Sequence, residues 1–195
     1  MTHEEVLSEF RDAGALLEGH FLLTSGRHSP LYLQCARVMM SPDRGGRLCR
    51  ALAAMVRAEL GDDAVDIVVA PAMGGVIVGY ELARHLGLDS IFAERVEGRF
   101  ALRRGFTLAP GARVLVVEDV VTTGKSSLEC FDCIRAAGGE VVAEASLIDR
   151  SGGSAALGVP LISLARVEVP SYAPDEVPAA LAATPAVKPG SRGLA

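Results

Sequence analysis

Four apolar residues, Val114-Leu115-Val116-Val117, run together and give way at once to Glu118 and Asp119. A short, mostly β-branched run of this kind reads as a strand buried on both faces. Such strands belong to parallel sheets covered on both sides, which constrains the chain to an α/β fold. The turn that follows, Thr122-Thr123-Gly124-Lys125-Ser126-Ser127, is small and rich in hydroxyls. Leu128, Phe131 and Ile134 then repeat at helical spacing. In open α/β sheets ligands bind at the carboxyl ends of strands. A helix N-terminus offers free N–H groups and a positive dipole end, which suits phosphate. The two carboxylates cannot serve a phosphate, but they suit sugar hydroxyls or Mg²⁺. One loop therefore places a phosphate cradle beside a hydroxyl and metal anchor, which points to a phosphorylated sugar. Gly124-Lys125-Ser126 matches the end of a Walker A loop, but that motif needs a glycine where Asp119 stands.

The rest of the chain supplies further strands and helices. Residues 4–17 carry Val6, Phe10, Ala13 and Leu17 on one stripe and predict an amphipathic helix. Residues 19–23 and 31–34 predict a hairpin around the turn-rich segment 24–30. Ser41 as N-cap, Pro42 at the first helical position and Gly61 at the end frame a helix over 42–60. Strands are predicted at 66–70, 91–93, 114–117 and 141–148, with an edge strand at 161–164. A helix is predicted over 76–85, and the one after Ser127 ends at Gly138-Gly139. The prolines at 170, 174, 178, 185 and 189 mark an extended, weakly structured tail from Val169. Three segments result: an N-terminal helix and hood hairpin at 1–40, an α/β core at 41–168, and a Pro-rich tail at 169–195.

A chain of 195 residues, half of them hydrophobic, is long enough for one domain with a full core. No apolar run approaches membrane-spanning length, and the polar, acidic start Met1-Thr2-His3-Glu4-Glu5 is unlike a signal peptide. A cytoplasmic location is expected, with no membrane partner. The formal charge of −5 argues against general nucleic-acid affinity. Cys130 and Cys133 have the spacing of a redox or metal pair. They fall inside a predicted helix without a second ligand pair, and they read as small packing residues. None of the four histidines has a metal-like spacing.

The order of apolar strand, acidic pair, Thr-Thr-Gly and helix resembles the signature for 5-phosphoribosyl 1-pyrophosphate (PRPP) in the type I phosphoribosyltransferases. Three passages are similar to the orotate-using branch of that family, in its short-loop form: Glu18-Gly19-His20-Phe21 with residues 24–30, Val117 through Gly124, and Ile148-Asp149-Arg150-Ser151-Gly152-Gly153. The likeness runs from Gly14 to Glu168. It implies a mainly parallel Rossmann-like sheet with helices on both faces and a small N-terminal hood. It implies transfer of the phosphoribosyl group of PRPP to N1 of orotate, giving orotidine 5′-monophosphate and pyrophosphate in pyrimidine biosynthesis. Mg²⁺ is the implied cofactor, brought mainly by PRPP and touched by Glu118 and Asp119. A homodimer that shares a loop across subunits is the implied assembly.

Residue by residue, the resemblance puts Glu118 and Asp119 on the ribose, as catalytic residues. It puts Val120, Val121, Thr122, Thr123, Gly124, Lys125 and Ser126 around the 5-phosphate. Thr122 and Arg150 contact orotate, with Arg150 on its carboxylate through paired hydrogen bonds; the plainer reading pairs Arg150 with Asp149. The loop 71–75, with Met73 and Gly74, faces pyrophosphate, and some family members carry a lysine where Gly74 stands. The segment 94–104 is locally cationic. Arginine forks suit pyrophosphate oxygens, and a closing loop there would exclude water. The family's loop is rich in lysine; here Arg95 is the first stand-in, with Arg99, Arg103 and Arg104 after it. Two other readings use the same fold: a transferase for another base, and a PRPP-sensing regulator that binds nucleic acid.

Overall fold

The computed structural model describes residues 1–23 and 26–188. A six-stranded sheet runs in the order β5-β4-β3-β6-β7-β8. Its strands are β3 (Ile67–Pro71), β4 (Asp89–Val96), β5 (Arg99–Leu102), β6 (Arg113–Val121), β7 (Glu140–Asp149) and β8 (Leu161–Arg166). Every pairing is parallel except β4 with β5. From β3 the chain winds outward to β4. From β6 it winds the other way to β7 and β8. The order reverses between β3 and β6, which is where this class of sheet opens a crevice for ligands.

Residues of the central strand alternate between two cores. Leu115 and Val117 face one side, packed with Leu48, Leu52 and Val56 of α2 (Pro42–Leu60) and Val78 and Leu82 of α3 (Gly74–Leu86). Val114 and Val116 face the other, packed with Cys130, Phe131 and Ile134 of α4 (Lys125–Ala136). Both faces of the sheet are thereby covered, as the uninterrupted apolar run requires. Ser41 caps α2 by accepting a hydrogen bond from the Arg44 N–H at 3.4 Å, with Pro42 next and Gly61 at its end. Cys130 is buried in the core, and Cys133 beside it is a free thiol.

Three expectations need correction. The N-terminal helix α1 (His3–Asp12) stops five residues short of 17. Gly14 takes a left-handed conformation, φ +59°, and turns the chain into β1 (Leu16–Leu22). Leu17 is therefore a strand residue opposite Tyr32 of β2 (His28–Leu33). The strand at 91–93 extends to Val96 and turns back as β5. Glu97 and Gly98 both have positive φ between the paired residues Val96 and Arg99, the two-residue turn that favours a hairpin. Lastly, the tail docks on the hood, a two-stranded ribbon of β1 and β2 joined by a 3₁₀ turn (Cys35–Met40) to α2. His28 and Tyr172 exchange backbone hydrogen bonds at 2.9 and 2.8 Å. Val187 bonds His20 and Leu22 at 2.8 Å each, and a short helix α5 (Ala179–Ala182) lies between. The His20 ring joins this clasp, with one nitrogen 2.6 Å from the Thr184 carbonyl and the other 2.6 Å from the His28 ring. The expectations resting on Thr24, Ser25 and Pro189 lie outside the described residues.

Candidate active site

A cavity at the switch point measures about 440 Å³. Pro71, Ala72 and Gly74 line one wall, from the end of β3 and the start of α3. Glu118 through Ser127 line the other, and Arg95 and Phe100 of the β4–β5 hairpin close the rim. The two walls meet because glycines let them. A Cβ on Gly75 would run into the Val117 carbonyl oxygen, and one on Gly74 would sit 2.8 Å from Asp119 Oδ1. A lysine at Gly74 would thus press its Cβ against the acid pair unless the wall moved. The Ala72–Met73 peptide in this wall is cis.

The acid pair sits at the floor. Burial holds the Glu118 carboxyl up at about 8, helped by the nearby charges of Asp119 and Glu144. Burial raises Asp119 too, against the Val120 N–H that donates to its Oδ1 at 2.9 Å. Carboxyls crowded in this way favour an arriving cation or hydroxyl donors over staying charged and bare. Beside them, α4 begins at Gly124, φ +76°, with no side chain capping its first turn. Apart from Lys125, whose N–H lies 3.4 Å from Thr123 Oγ1, the first-turn donors remain for a ligand. A Cβ on Gly124 would meet Leu157 at 2.6 Å, so this turn tolerates no larger residue without repacking. The expected ribose and phosphate residues, from Glu118 to Ser126, are thus brought together on one wall.

Arg150 is placed by its N–H, which donates to the Val121 carbonyl at 2.8 Å. It does not pair with Asp149. That carboxylate accepts from the Arg166 guanidinium at 3.0 Å and from the Ser151 N–H and hydroxyl at 2.7 and 2.6 Å. Arg150 Nε is buried without a hydrogen-bond partner. Burial pulls its pKa below the usual arginine range, against the influence of Cys35 and Tyr32 at the hood's end. An unpartnered buried guanidinium donor is costly, and an anionic ligand relieves that cost. Thr122 lines the cavity, between the phosphate turn and the strand end that carries Arg150.

On the opposite rim, Arg95 stacks 4.1 Å over Phe100 and donates to Glu129 at 2.6 Å and to the Gly98 carbonyl at 2.9 Å. Arg99 lines a separate groove with Asp132 and Cys133, outside the switch-point cavity. Met73 is 84% exposed and is not part of the cavity wall. Arg104 is tied to Glu94 at 2.8 Å. Sequence reading missed Phe100, Glu129 and Glu144. The Glu97-Gly98 dipeptide was the available signal for the first, since a hairpin turn there sends the next alternate residue back under Arg95. Nothing in a linear sequence joins Glu129 or Glu144 to the site.

Among the described residues no group of three or more His, Cys, Asp or Glu side chains is arranged to hold a metal. The donor set at the floor is two carboxylates. That fits Mg²⁺, which keeps much of its water and is commonly held by one or two carboxylates together with substrate phosphates.

Comparison with known proteins places the chain and its fold in a family. Residues 43–157 match the phosphoribosyl transferase domain family. The chain is 61% identical to the orotate phosphoribosyltransferase of Sphingopyxis alaskensis and 58% identical to that of Maricaulis maris, over the full length of each protein. Among solved structures, orotate phosphoribosyltransferase from Aeropyrum pernix superposes with a TM-score of 0.69 at 27% identity, covering 84% of this chain and 94% of that one.

Proposed function

Since the chain belongs to the orotate phosphoribosyltransferase family, we propose that PRPP lies in the switch-point cavity, its ribose hydroxyls on Glu118 and Asp119 and its 5-phosphate in residues 120–126. The activity is orotate phosphoribosyltransferase activity, in pyrimidine biosynthesis. The observation that carries the site assignment is the pairing of a buried acid pair with an uncapped helix start, beside an arginine whose Nε is buried without a hydrogen-bond partner.

In this reading Arg150 receives the orotate carboxylate, and Thr122 holds the ring edge between that arginine and the ribose. N1 of orotate then faces C1 of PRPP, gives up its proton to solvent and forms the new bond there, inverting that carbon as the bond to pyrophosphate breaks and pyrophosphate leaves. Positive charge builds on the ribose as the old bond breaks. Glu118 and Asp119 fix the sugar and favour that charge. Arg95, carried on paired strands, lies on the pyrophosphate side with the backbone of residues 72–74. Bound Mg²⁺, with Glu118 and Asp119 as its protein contacts, would neutralise charge on the leaving pyrophosphate. No side chain needs to act as a covalent nucleophile.

We also propose a cytoplasmic homodimer. The supporting observation is the exposed apolar stripe of Met73, Ile77 and Tyr80 along α3, a face of the kind that partners cover. No helix among the described residues is long and apolar enough to cross a membrane.

The test is an assay with PRPP and Mg²⁺ that follows orotate's ultraviolet absorbance, with adenine, hypoxanthine and uracil in parallel. Consumption of orotate alone is expected, and Arg150→Ala should abolish its advantage over uracil, which lacks the carboxylate. An Arg150→Ala enzyme that still prefers orotate would overturn the base-site assignment.

A further inference from the structure

Glu144 lies on β7 opposite Val116 of β6, on the face that α4 covers. It is fully buried, an unusual place for a glutamate. Its Oε1 accepts a hydrogen bond from the Ser127 hydroxyl at 2.7 Å, and its Oε2 has no partner. Ser127 is the third residue of α4 and is itself 2% exposed. The contact therefore runs from the sheet into the underside of the first helical turn.

That turn has an unusual requirement. A helix start is normally fixed by a capping side chain that takes up its free N–H groups. Here such a cap would occupy the donors that the phosphate needs, and Gly124 provides none. The turn must be held from some other direction. We propose that Glu144 is a positioning residue for the phosphate-binding turn, holding the start of α4 through the Ser127 hydroxyl while leaving its N–H groups free. This rests on the reading of residues 120–126 as the PRPP phosphate site.

The electrostatics favour an uncharged strut. An ionised carboxylate behind the turn would oppose phosphate binding across a low-dielectric core. Burial raises the Glu144 carboxyl to about 7, against the Ser127 hydrogen bond. Below that pH the acid is mostly neutral and keeps the acceptor for Ser127 without the opposing charge.

Steady-state kinetics of Glu144→Ala, Ser127→Ala, the double variant and Glu144→Gln test the role. Each alanine variant should raise KM for PRPP about fivefold, the scale of one hydrogen bond, while leaving KM for orotate unchanged. The double variant should be no worse than the worse single one. Glu144→Gln, which keeps an acceptor and carries no charge, should restore KM for PRPP to within about twofold. A wild-type KM for PRPP in Ser127→Ala would overturn the proposal. So would a glutamine variant as impaired as the alanine one, or KM for both substrates rising alongside a lower melting temperature. Ser127→Ala removes only a hydroxyl and keeps the test usable if Glu144→Ala fails to fold. Calorimetric binding of PRPP to Asp119→Asn separates the two readings: wild-type affinity there would remove the PRPP site itself, whatever the Glu144 variants show.

Discussion

Residues 117–127 and residues 94–104 both bring charge to one cavity, and they hold it in different ways. The first segment leaves a central strand of the sheet whose first half is buried on both faces. Its acids are fixed on paired backbone, among the described residues no cation is bonded to either, and burial holds both carboxyls above their ordinary range. The second is the antiparallel edge of the same sheet. Its arginines are exposed, and Arg95 and Arg104 are tied to Glu129 and Glu94. A buried segment can keep ionisable groups without partners because the packed core fixes its backbone. An exposed edge pairs its charges, and each pair is worth little because water competes for it. Under the proposed function the costly, unpaired groups mark the chemistry, while a charged edge loop alone does not.

The largest effect should come from the buried side. Asp119→Asn is expected to cut kcat/KM by roughly 10² to 10³ with little change in melting temperature, since it removes charge aimed at the ribose. Full turnover in that variant would erase the contrast. Arg150→Ala comes next. Losing a desolvated carboxylate partner should raise KM for orotate by roughly a hundredfold, read from orotate titrations at saturating PRPP. On the edge, Arg95→Ala should slow turnover by about tenfold, and Arg104→Ala should change it by less than about twofold. Equal losses from the two arginines would mean that the whole hairpin acts as one unit.

A further contrast, in stability rather than turnover, is a pH slope. Glu144 binds its proton more tightly in the folded protein than the ordinary value of 4.5 allows, up to about 7. Its contribution to stability is then fully present below about 4.5 and is lost as pH rises through about 7, on the order of 3 kcal/mol in all. Glu118 adds a similar slope, centred higher. The melting temperature of Glu144→Gln should fall less between pH 5 and 8 than that of the native protein. Parallel melting curves would mean that Glu144 stays in one protonation state across that range.

The central strand, its acids and its turn were legible because their code is local. An apolar run, a carboxyl pair and a glycine at the head of a helix each act on adjacent residues. Ser41, Pro42 and Gly61 framed α2 for the same reason. The errors fell where a local pattern competed with another. Residues 4–17 carry a helical stripe, but Gly14 breaks it and Leu17 serves the hood instead. Residues 94–104 read as a charged loop because four arginines outweighed the Glu97-Gly98 turn. The prolines of the tail hid its docking, since Tyr172 and Val187 find their partners in a hairpin about 150 residues away.

The parallel sheet, the hydroxyl-rich turn and the acids beside it can be read along the chain, because strand burial, turn chemistry and helix starts depend on sequence neighbours. Which charges stay unpaired depends on the folded arrangement. Asp149 could have taken Arg150, but β8 delivers Arg166 to it, and Arg150 Nε is left buried without a partner. Ser127 could have faced solvent, but β7 places Glu144 beneath it. Pairing between residues 17 apart, as in both cases, is set by strand order and register, and those are fixed only when the core closes.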